Sequence, residues 1–329
     1  MSTPAVLWTS LALAAVSALG TWLTLRYARR RLLDLPGERR SHTVPTPRGG
    51  GLGITIALLA GTALAVAGGV LAPLPALAFA AGLLLVAGIG WIDDHRPLSP
   101  WSRLAVQCLA GLVLAAGLYA GQGDWRWALL ACAAVPVLVN VWNFMDGIDG
   151  IATSQAMIAL ATFAFLAPPV AALAWGAFAA CCGFLPFNYP RARIFLGDVG
   201  SGTLGYLLAA MVAWTAPALA REGGALQPLF LLLPLSAFLV DASLTLGRRV
   251  LRGERWWLPH VSHLYQRWAK RAGSHVRVSQ GYGLFSLLAG WVAYGAHASG
   301  TVRPAAVAGT WLALAVVLWL LQGRRIQHT

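Results

Sequence analysis

Apolar residues run along this chain in long unbroken stretches, separated by short polar or glycine-rich breaks. Eleven stretches reach or approach the roughly 20 residues that a helix needs to cross a hydrocarbon core. They cover residues 5–25, 51–72, 76–92, 103–121, 126–143, 151–167, 170–187, 200–217, 226–246, 282–298 and 304–322. The fifth turns polar at its end, but a turn signal, Gln122-Gly123-Asp124, marks its start. The runs are continuous rather than alternating, which argues against a β-barrel. The pattern predicts an all-α, polytopic integral membrane bundle of about 11 transmembrane helices, one domain over residues 1–329. Residues 1–7 hold no Lys or Arg and no small-residue cleavage site follows, so the first run is expected to stay as a span. Pro73, Pro75, Pro168 and Pro169 fit turns, whereas Pro136 and Pro234 fall inside spans and are expected to kink them.

Composition sharpens the picture. The chain is 58% hydrophobic with a mean hydropathy of +0.67, and its net charge of +13 comes from 23 arginines and one lysine. On a soluble protein that charge would suggest nucleic acid. Here loops that alternate across a bilayer explain it, and no nucleic-acid partner is needed. One side collects loops 26–50, 93–102 (with Arg103), 144–150, 188–199, 247–281 and the tail from Gly323, with 21 of the 24 basic residues. The other side has only Arg126, Arg221 and Arg303. The positive-inside rule makes the rich side cytoplasmic, the N-terminus periplasmic and the C-terminus cytoplasmic. Cys108, Cys132, Cys181 and Cys182 lie in apolar runs without metal-type spacing and read as small core residues. No internal repeat is evident, which weakens an inverted-repeat transporter.

Acids are scarce: eleven Asp and Glu in 329 residues. A carboxylate near a bilayer is costly, so its default reading is functional. Asp93-Asp94 closes the third span. A helix C-terminus disfavours two anions, so the pair needs a cation, Arg96 and Arg103 as partners, or a shared proton. In Asn140-Val-Trp-Asn143-Phe-Met-Asp146-Gly147-Ile-Asp149-Gly150 the two carboxylates sit at i and i+3 and share a face on a helical turn. The glycines let a ligand approach the backbone. Such a set suits a nucleobase, a ribose or a hard cation; a helix-capping turn is the plain alternative. Phe195-Leu-Gly197-Asp198-Val-Gly200-Ser201 runs into a helix N-terminus, whose amides can hold anions, or in which Asp198 or Ser201 merely caps the helix. Pro259-His260-Val-Ser-His263-Leu-Tyr265-Gln-Arg267-Trp268 lies in the most basic loop. It reads as a phosphate site or as topogenic charge beside interfacial Trp256, Trp257 and Trp268. His260 and His263 lack the further ligands a zinc site needs. Arg48, ahead of Gly49-Gly50-Gly51, is the arginine of its loop best placed for a phosphate. His275, His297 and His328 read as incidental. All five motifs fall on the basic side.

In this order the motifs resemble the polyprenyl-phosphate N-acetylhexosamine-1-phosphate transferases, over about residues 40–280. The resemblance implies transfer of a sugar-1-phosphate from a UDP-activated amino sugar to undecaprenyl phosphate, with Mg2+ or Mn2+, at the cytoplasmic face of the bacterial inner membrane, releasing UMP. It gives Asp198 the role of main metal ligand and Asn143 that of a second. Phe195 would stack on uracil; Asp149, with the Gly147 and Gly150 backbone, would lie near the nucleoside; Asp146 would organise the nucleotide site. Asp93 would act as base toward the lipid phosphate, orient it, or carry a covalent phosphate, with Asp94 in support. His260, His263, Arg267 and Arg48 would hold phosphates. The His-x-x-His-x-Tyr-Gln-Arg pattern resembles the branch that initiates O-antigen or related surface polysaccharides. A phospho-MurNAc-pentapeptide substrate is disfavoured, because the consecutive histidine cluster of that branch is absent; GlcNAc, GalNAc, QuiNAc and FucNAc remain open. Homodimers are common in such relatives, although no interface is legible. A transporter of nucleotide-sugars or lipid-linked sugars is the competing reading, but it calls for polar residues on both faces. A non-catalytic scaffold would have no reason to gather these acids.

Overall fold

Each predicted apolar stretch forms a helix, because only helices satisfy the backbone of such runs internally. The structure, a computed structural model, describes residues 3–35, 44–255, 257–258 and 260–327. Arg39, Arg40, Trp256, Pro259 and His328 lie outside the described residues. The helices are α1 (Thr3–Arg31), α2 (Leu52–Ala67), α3 (Pro73–His95), α4 (Pro100–Gln122), α5 (Trp125–Met145), α6 (Ile151–Leu166), α7 (Ala171–Asn188), α8 (Gly197–Gly223), α9 (Leu232–Leu251), α10 (Leu264–Ala272), α11 (His275–Ser299) and α12 (Pro304–Gln327). The protein is an all-α polytopic membrane bundle. Hydropathy missed α10, which is short and strongly amphipathic. It also missed a small antiparallel pairing of β1 (Leu33–Asp34) with β2 (Thr46–Pro47).

Local chemistry sets the boundaries. Pro73 and Pro100 open α3 and α4, where a missing N–H costs nothing. The Gln122-Gly123-Asp124 signal acts as expected. Gly123 ends α4 at φ 71°, and the Asp124 carboxylate caps α5 by accepting from the Arg126 N–H at 3.0 Å. Pro136 lies inside α5, but Pro234 sits in the first turn of α9 and so does not interrupt a helix.

Among the described residues, eight helices are long and apolar enough to cross a membrane: α1, α3, α4, α5, α7, α8, α9 and α12. The other three predicted spans differ for physical reasons. Helices α2 and α6 have 16 residues each, about 24 Å of helix at 1.5 Å per residue, short of a core about 30 Å thick. Helix α11 is 25 residues long, but glycines, serines, tyrosines and histidines along it dilute its apolar character.

The centre is α8. It is apolar or small all round, as a helix enclosed on every side must be, and it packs against α3, α5 and α6. Close approach needs missing side chains. A Cβ at Gly51 would lie 2.0 Å from the Gly200 Cα, so α2 and α8 can begin side by side only as glycines. Helices α1 and α12 are peripheral and present apolar side chains such as Trp8 and Leu321 outward, the arrangement expected where lipid is the solvent.

Candidate active site

The C-terminal ends of α3 and α5 and the N-terminal ends of α6, α8, α10 and α11 meet at one end of the bundle. They surround a cavity of about 300 Å³. All five motifs reach it. Arg48, Asp94, Asn143, Asp146, Gly147, Asp149, Phe195, Asp198, His260 and His263 line the cavity; Asp93, Gly150 and Arg267 do not.

Asp94 is 1% exposed, and its two oxygens accept the Asp198 and Val199 N–H groups at 3.0 and 3.1 Å. A carboxylate from α3 therefore caps the positive end of α8, a favourable pairing. The expected anion-binding amides of the Gly197 segment are consumed by Asp94. Arg48 donates to the Asp94 carbonyl oxygen and lies 3.7 Å from its carboxylate. The glycines after Arg48 pair in turn with the Phe195 segment: Gly50 and Gly51 donate to the carbonyls of Phe195 and Leu196, each at 2.9 Å. Three distant motifs thus form one framework.

Asp93 points the other way. It accepts from the Leu98 N–H at 2.5 Å and from Arg103 at 2.8 Å. The same Arg103 nitrogen lies 3.4 Å from Asp198 Oδ2, and the Asp93 and Asp198 carboxyls are themselves within hydrogen-bonding reach. On its other side Asp198 accepts from Asn143 Nδ2 at 2.7 Å, and Asn143 is steadied by Ser201 Oγ at 3.2 Å. Asp198 is therefore held in place from two sides at the cavity wall.

The Asn143–Gly150 turn differs from expectation. A Cβ on Gly147 would meet the Tyr265 hydroxyl at 2.2 Å, and one on Gly150, whose φ is +72°, would meet Tyr189 at 2.7 Å. Both glycines make room for tyrosines of the protein, while Gly147 still lines the cavity. Asp149 ties loops together. It accepts from the Ala192 N–H at 3.3 Å, faces His275 at 3.4 Å, and its carbonyl takes the Ser279 hydroxyl at 2.9 Å. His275, read as incidental, lines the cavity; nothing in its sequence neighbourhood signals this. Asp34 also lines it, and the scarcity of acids was the signal that could have found it.

Burial pushes the Asp146 carboxyl up to about 8, with Asp94 and Asp149 adding repulsion. The folded, ligand-free protein then holds a proton here that the unfolded chain releases near pH 4. Stability from this site is present at low pH and lost as pH rises through about 8. Asp146→Asn should therefore melt at a higher temperature than the parent without ligand, by a margin that grows from pH 5 to pH 8 and then levels off. Scanning fluorimetry across that range checks this; parallel curves would mean an ionised Asp146.

The histidine loop is organised by a residue that sequence reading passed over. Asp241, within α9 and 1% exposed, accepts the Leu264 and Tyr265 N–H groups at 2.9 and 3.1 Å, capping α10. It also takes the Tyr282 hydroxyl at 2.8 Å, Trp319 Nε1 at 3.0 Å and the Thr245 hydroxyl at 3.1 Å. His263 is buried against it and stacks on His260, with ring centroids 4.8 Å apart. Burial, with the positive charge of Arg249 adding, lowers both imidazoles, His260 to about 4. At neutral pH they are uncharged hydrogen-bonding groups, not cationic clamps. Arg267 sits on the far face of α10 from Tyr265 and lines a separate pocket.

Charge in the cavity decides what it can bind. Five acids line it: Asp34, Asp94, Asp146, Asp149 and Asp198. Among the described lining residues Arg48 is the one permanent cation. Such a wall repels a di- or triphosphate more weakly when a cation accompanies it. No three His, Cys, Asp or Glu side chains among the described residues converge as a ready-made metal cage. That fits Mg2+, which usually takes one or two carboxylates and completes its shell with substrate phosphates and water. Asp198, with Asn143 beside it, offers oxygens that would suit such an ion.

Residues 76–216 match the family model described as glycosyl transferase family 4. The decaprenyl-phosphate N-acetylglucosaminephosphotransferase of Mycobacterium tuberculosis is 34% identical over 328 residues, covering 86% of this chain and 79% of the relative. A protein of Bacillus subtilis, named as a probable undecaprenyl-phosphate N-acetylglucosaminyl 1-phosphate transferase, is 26% identical over 252 residues, covering 71% and 69%. A phospho-N-acetylmuramoyl-pentapeptide-transferase of Moorella thermoacetica is 33% identical over 252 residues, covering 65% and 75%.

Proposed function

Because the chain belongs to the polyprenyl-phosphate N-acetylhexosamine-1-phosphate transferases of glycosyl transferase family 4, we propose that it moves N-acetylglucosamine-1-phosphate from UDP-N-acetylglucosamine to undecaprenyl phosphate, with Mg2+. The coarser activity, sugar-1-phosphate transfer to a polyprenyl phosphate by a multi-pass membrane enzyme, goes with the family. The finer reading rests on one observation: an acid-lined cavity with a single arginine, in which Asp198 is fixed between Asn143 and Arg103. The choice of sugar follows the names of the Mycobacterium and Bacillus relatives. The 21 basic residues on the motif side support a cytoplasmic active site in the inner membrane, and initiation of a surface polysaccharide is the pathway proposed.

The chain's own groups carry the steps. A phosphate oxygen of the acceptor attacks the sugar-bearing phosphorus, the bond to the nucleotide breaks, and UMP leaves with the electron pair. Asp198 and Asn143 would hold Mg2+, which when bound neutralises the diphosphate charge that grows on the leaving group. Asp93 stands behind the cavity wall; its carboxyl approaches that of Asp198 and fixes Arg103, which in turn contacts Asp198. Asp93 therefore serves as a positioning residue rather than the base or nucleophile. A base is dispensable, since a phosphate monoester with a second pKa of about 6 is already largely ionised at neutral pH. Phe195 and Trp257 bring aromatic rings to the wall where a uracil could stack. Arg48 and the neutral His260 and His263 offer donors to phosphate oxygens. Asp94 contributes by holding α8 in register.

Transport is the weaker reading. The cavity toward the other end of the bundle is lined by Leu13, Leu58, Phe79, Trp214 and a few hydroxyls, with no charged residue among the described ones, which does not favour a polar route across the bundle. The reaction is tested by incubating purified protein with undecaprenyl phosphate, a panel of UDP-N-acetylhexosamines and Mg2+. UMP release is expected with UDP-N-acetylglucosamine, falling to background with excess EDTA and returning with Mg2+. No UMP from any donor would sink the enzyme reading, and EDTA-insensitive release would sink the metal.

A further inference from the structure

Behind the histidine loop, on the far side of α10, lies a second polar pocket of about 170 Å³. Arg248 and Arg249 enter it from the last turn of α9, Arg252 from its C-cap and Arg267 from α10, with Glu254 the one acid among the described lining residues. Glu254 pairs with Arg249 at 2.8 Å, and Arg248 lies over the Trp319 ring at 4.0 Å. Positive-inside bias and the α9 dipole explain why arginines gather at this helix end. They do not explain why the Nε atoms of Arg249 and Arg267 are buried without a hydrogen-bond partner. A topogenic arginine would turn its head to water. A buried charged donor without an acceptor is costly, and like charges crowded together add to the cost. An anion with several oxygens, such as a phosphate, removes both penalties.

An apolar groove of about 240 Å³ adjoins this pocket, lined by Val240, Leu264, Trp268, Phe285 and Leu318. Trp319 belongs to both, with Arg248 over its ring in the basic pocket. A soluble anion would use only the first space. A basic socket opening onto an apolar groove, at the end of a membrane helix, matches a headgroup with its chain. We propose that the α9–α10–α12 pocket binds the phosphate of an anionic membrane phospholipid, with an acyl chain in the adjoining groove. The bound lipid steadies α10, whose opposite face carries Tyr265 and Gln266 to the catalytic cavity. This inference stands apart from the choice of substrates.

The test uses the full-length protein in neutral detergent, read by native mass spectrometry and scanning fluorimetry. Phosphatidylglycerol, phosphatidylcholine of the same acyl chains, undecaprenyl phosphate and inorganic phosphate are added separately. Phosphatidylglycerol should remain bound and raise the melting temperature, whereas phosphatidylcholine should do neither. Each arginine removed should lower phosphatidylglycerol affinity about fivefold, the worth of one basic residue near an anionic lipid, first in the exposed Arg252→Gln and then in Arg248→Gln/Arg252→Gln. The exposed single variant keeps the test valid if the double one fails to fold. Equal retention of both phospholipids, a phosphatidylglycerol preference that survives Arg252→Gln unchanged, an equal response to inorganic phosphate, or displacement by stoichiometric undecaprenyl phosphate would each overturn the proposal.

Discussion

Asp198→Asn should leave a folded, detergent-stable protein whose turnover falls at least about 100-fold, the scale of losing a group that stabilises charge at the reacting centre. The variant keeps the shape of the side chain and an oxygen for Asn143 or Arg103. It takes one carboxyl out of a cluster with Asp93 and Asp94, so the melting temperature should hold or rise. The loss belongs to the cation. Activity of Asp198→Asn should need far more Mg2+ than the parent, and UDP-N-acetylglucosamine binding should weaken only in the presence of Mg2+. Ser201→Ala, which touches only Asn143 within the site, should cost about 10-fold, as outer-shell partners of metal ligands do. UMP release across a Mg2+ series checks both variants. Parental rates in Asp198→Asn would remove Asp198 from the metal site.

Much of the architecture was legible because bilayer-spanning helices write themselves as continuous apolar runs. The acids were legible because they are rare in such a chain. What could not be read was direction. Asp93 and Asp94 are neighbours in sequence, but about 100° apart around α3, so one fixes Arg103 and the other caps α8. Tyr265 and Arg267 lie in one motif, yet two residues on a helix face nearly opposite ways. One reaches the catalytic cavity and the other the basic pocket. The glycines of the Asp146 turn looked like room for a ligand, and only tertiary packing shows that they also make room for Tyr265 and Tyr189. Helix α10 was hidden for a related reason. Its stability comes from Asp241, 23 residues upstream of Leu264, and no local window can contain that partner.

Asp241 is accordingly where a single change should be felt most widely. It accepts hydrogen bonds from α9, α10, α11 and α12: Thr245, the Leu264 and Tyr265 amides, Tyr282 and Trp319. Asp241→Ala leaves five buried donors without an acceptor. Each orphan costs about 1–3 kcal/mol before relaxation, and net stabilities are only about 5–15 kcal/mol, so the variant is expected to be poorly folded or absent from the membrane. Asp241→Asn is the informative change. Its amide nitrogen cannot accept, so one face of the cap is lost while the volume is kept. α10 should then loosen at its N-terminus, carrying His263 and Tyr265 away from the cavity. Hydrogen exchange over residues 260–272 should quicken markedly, while α8, capped independently by Asp94, stays protected. Activity should fall mainly through a higher KM for the sugar nucleotide, because Asp198 and its partners are untouched. If Asp241→Asn exchanged like the parent in α10 but lost turnover, the carboxylate would have to act on substrate directly. Its burial among α9, α11 and α12, with Trp319 and Tyr282 on its oxygens, leaves no route for that contact.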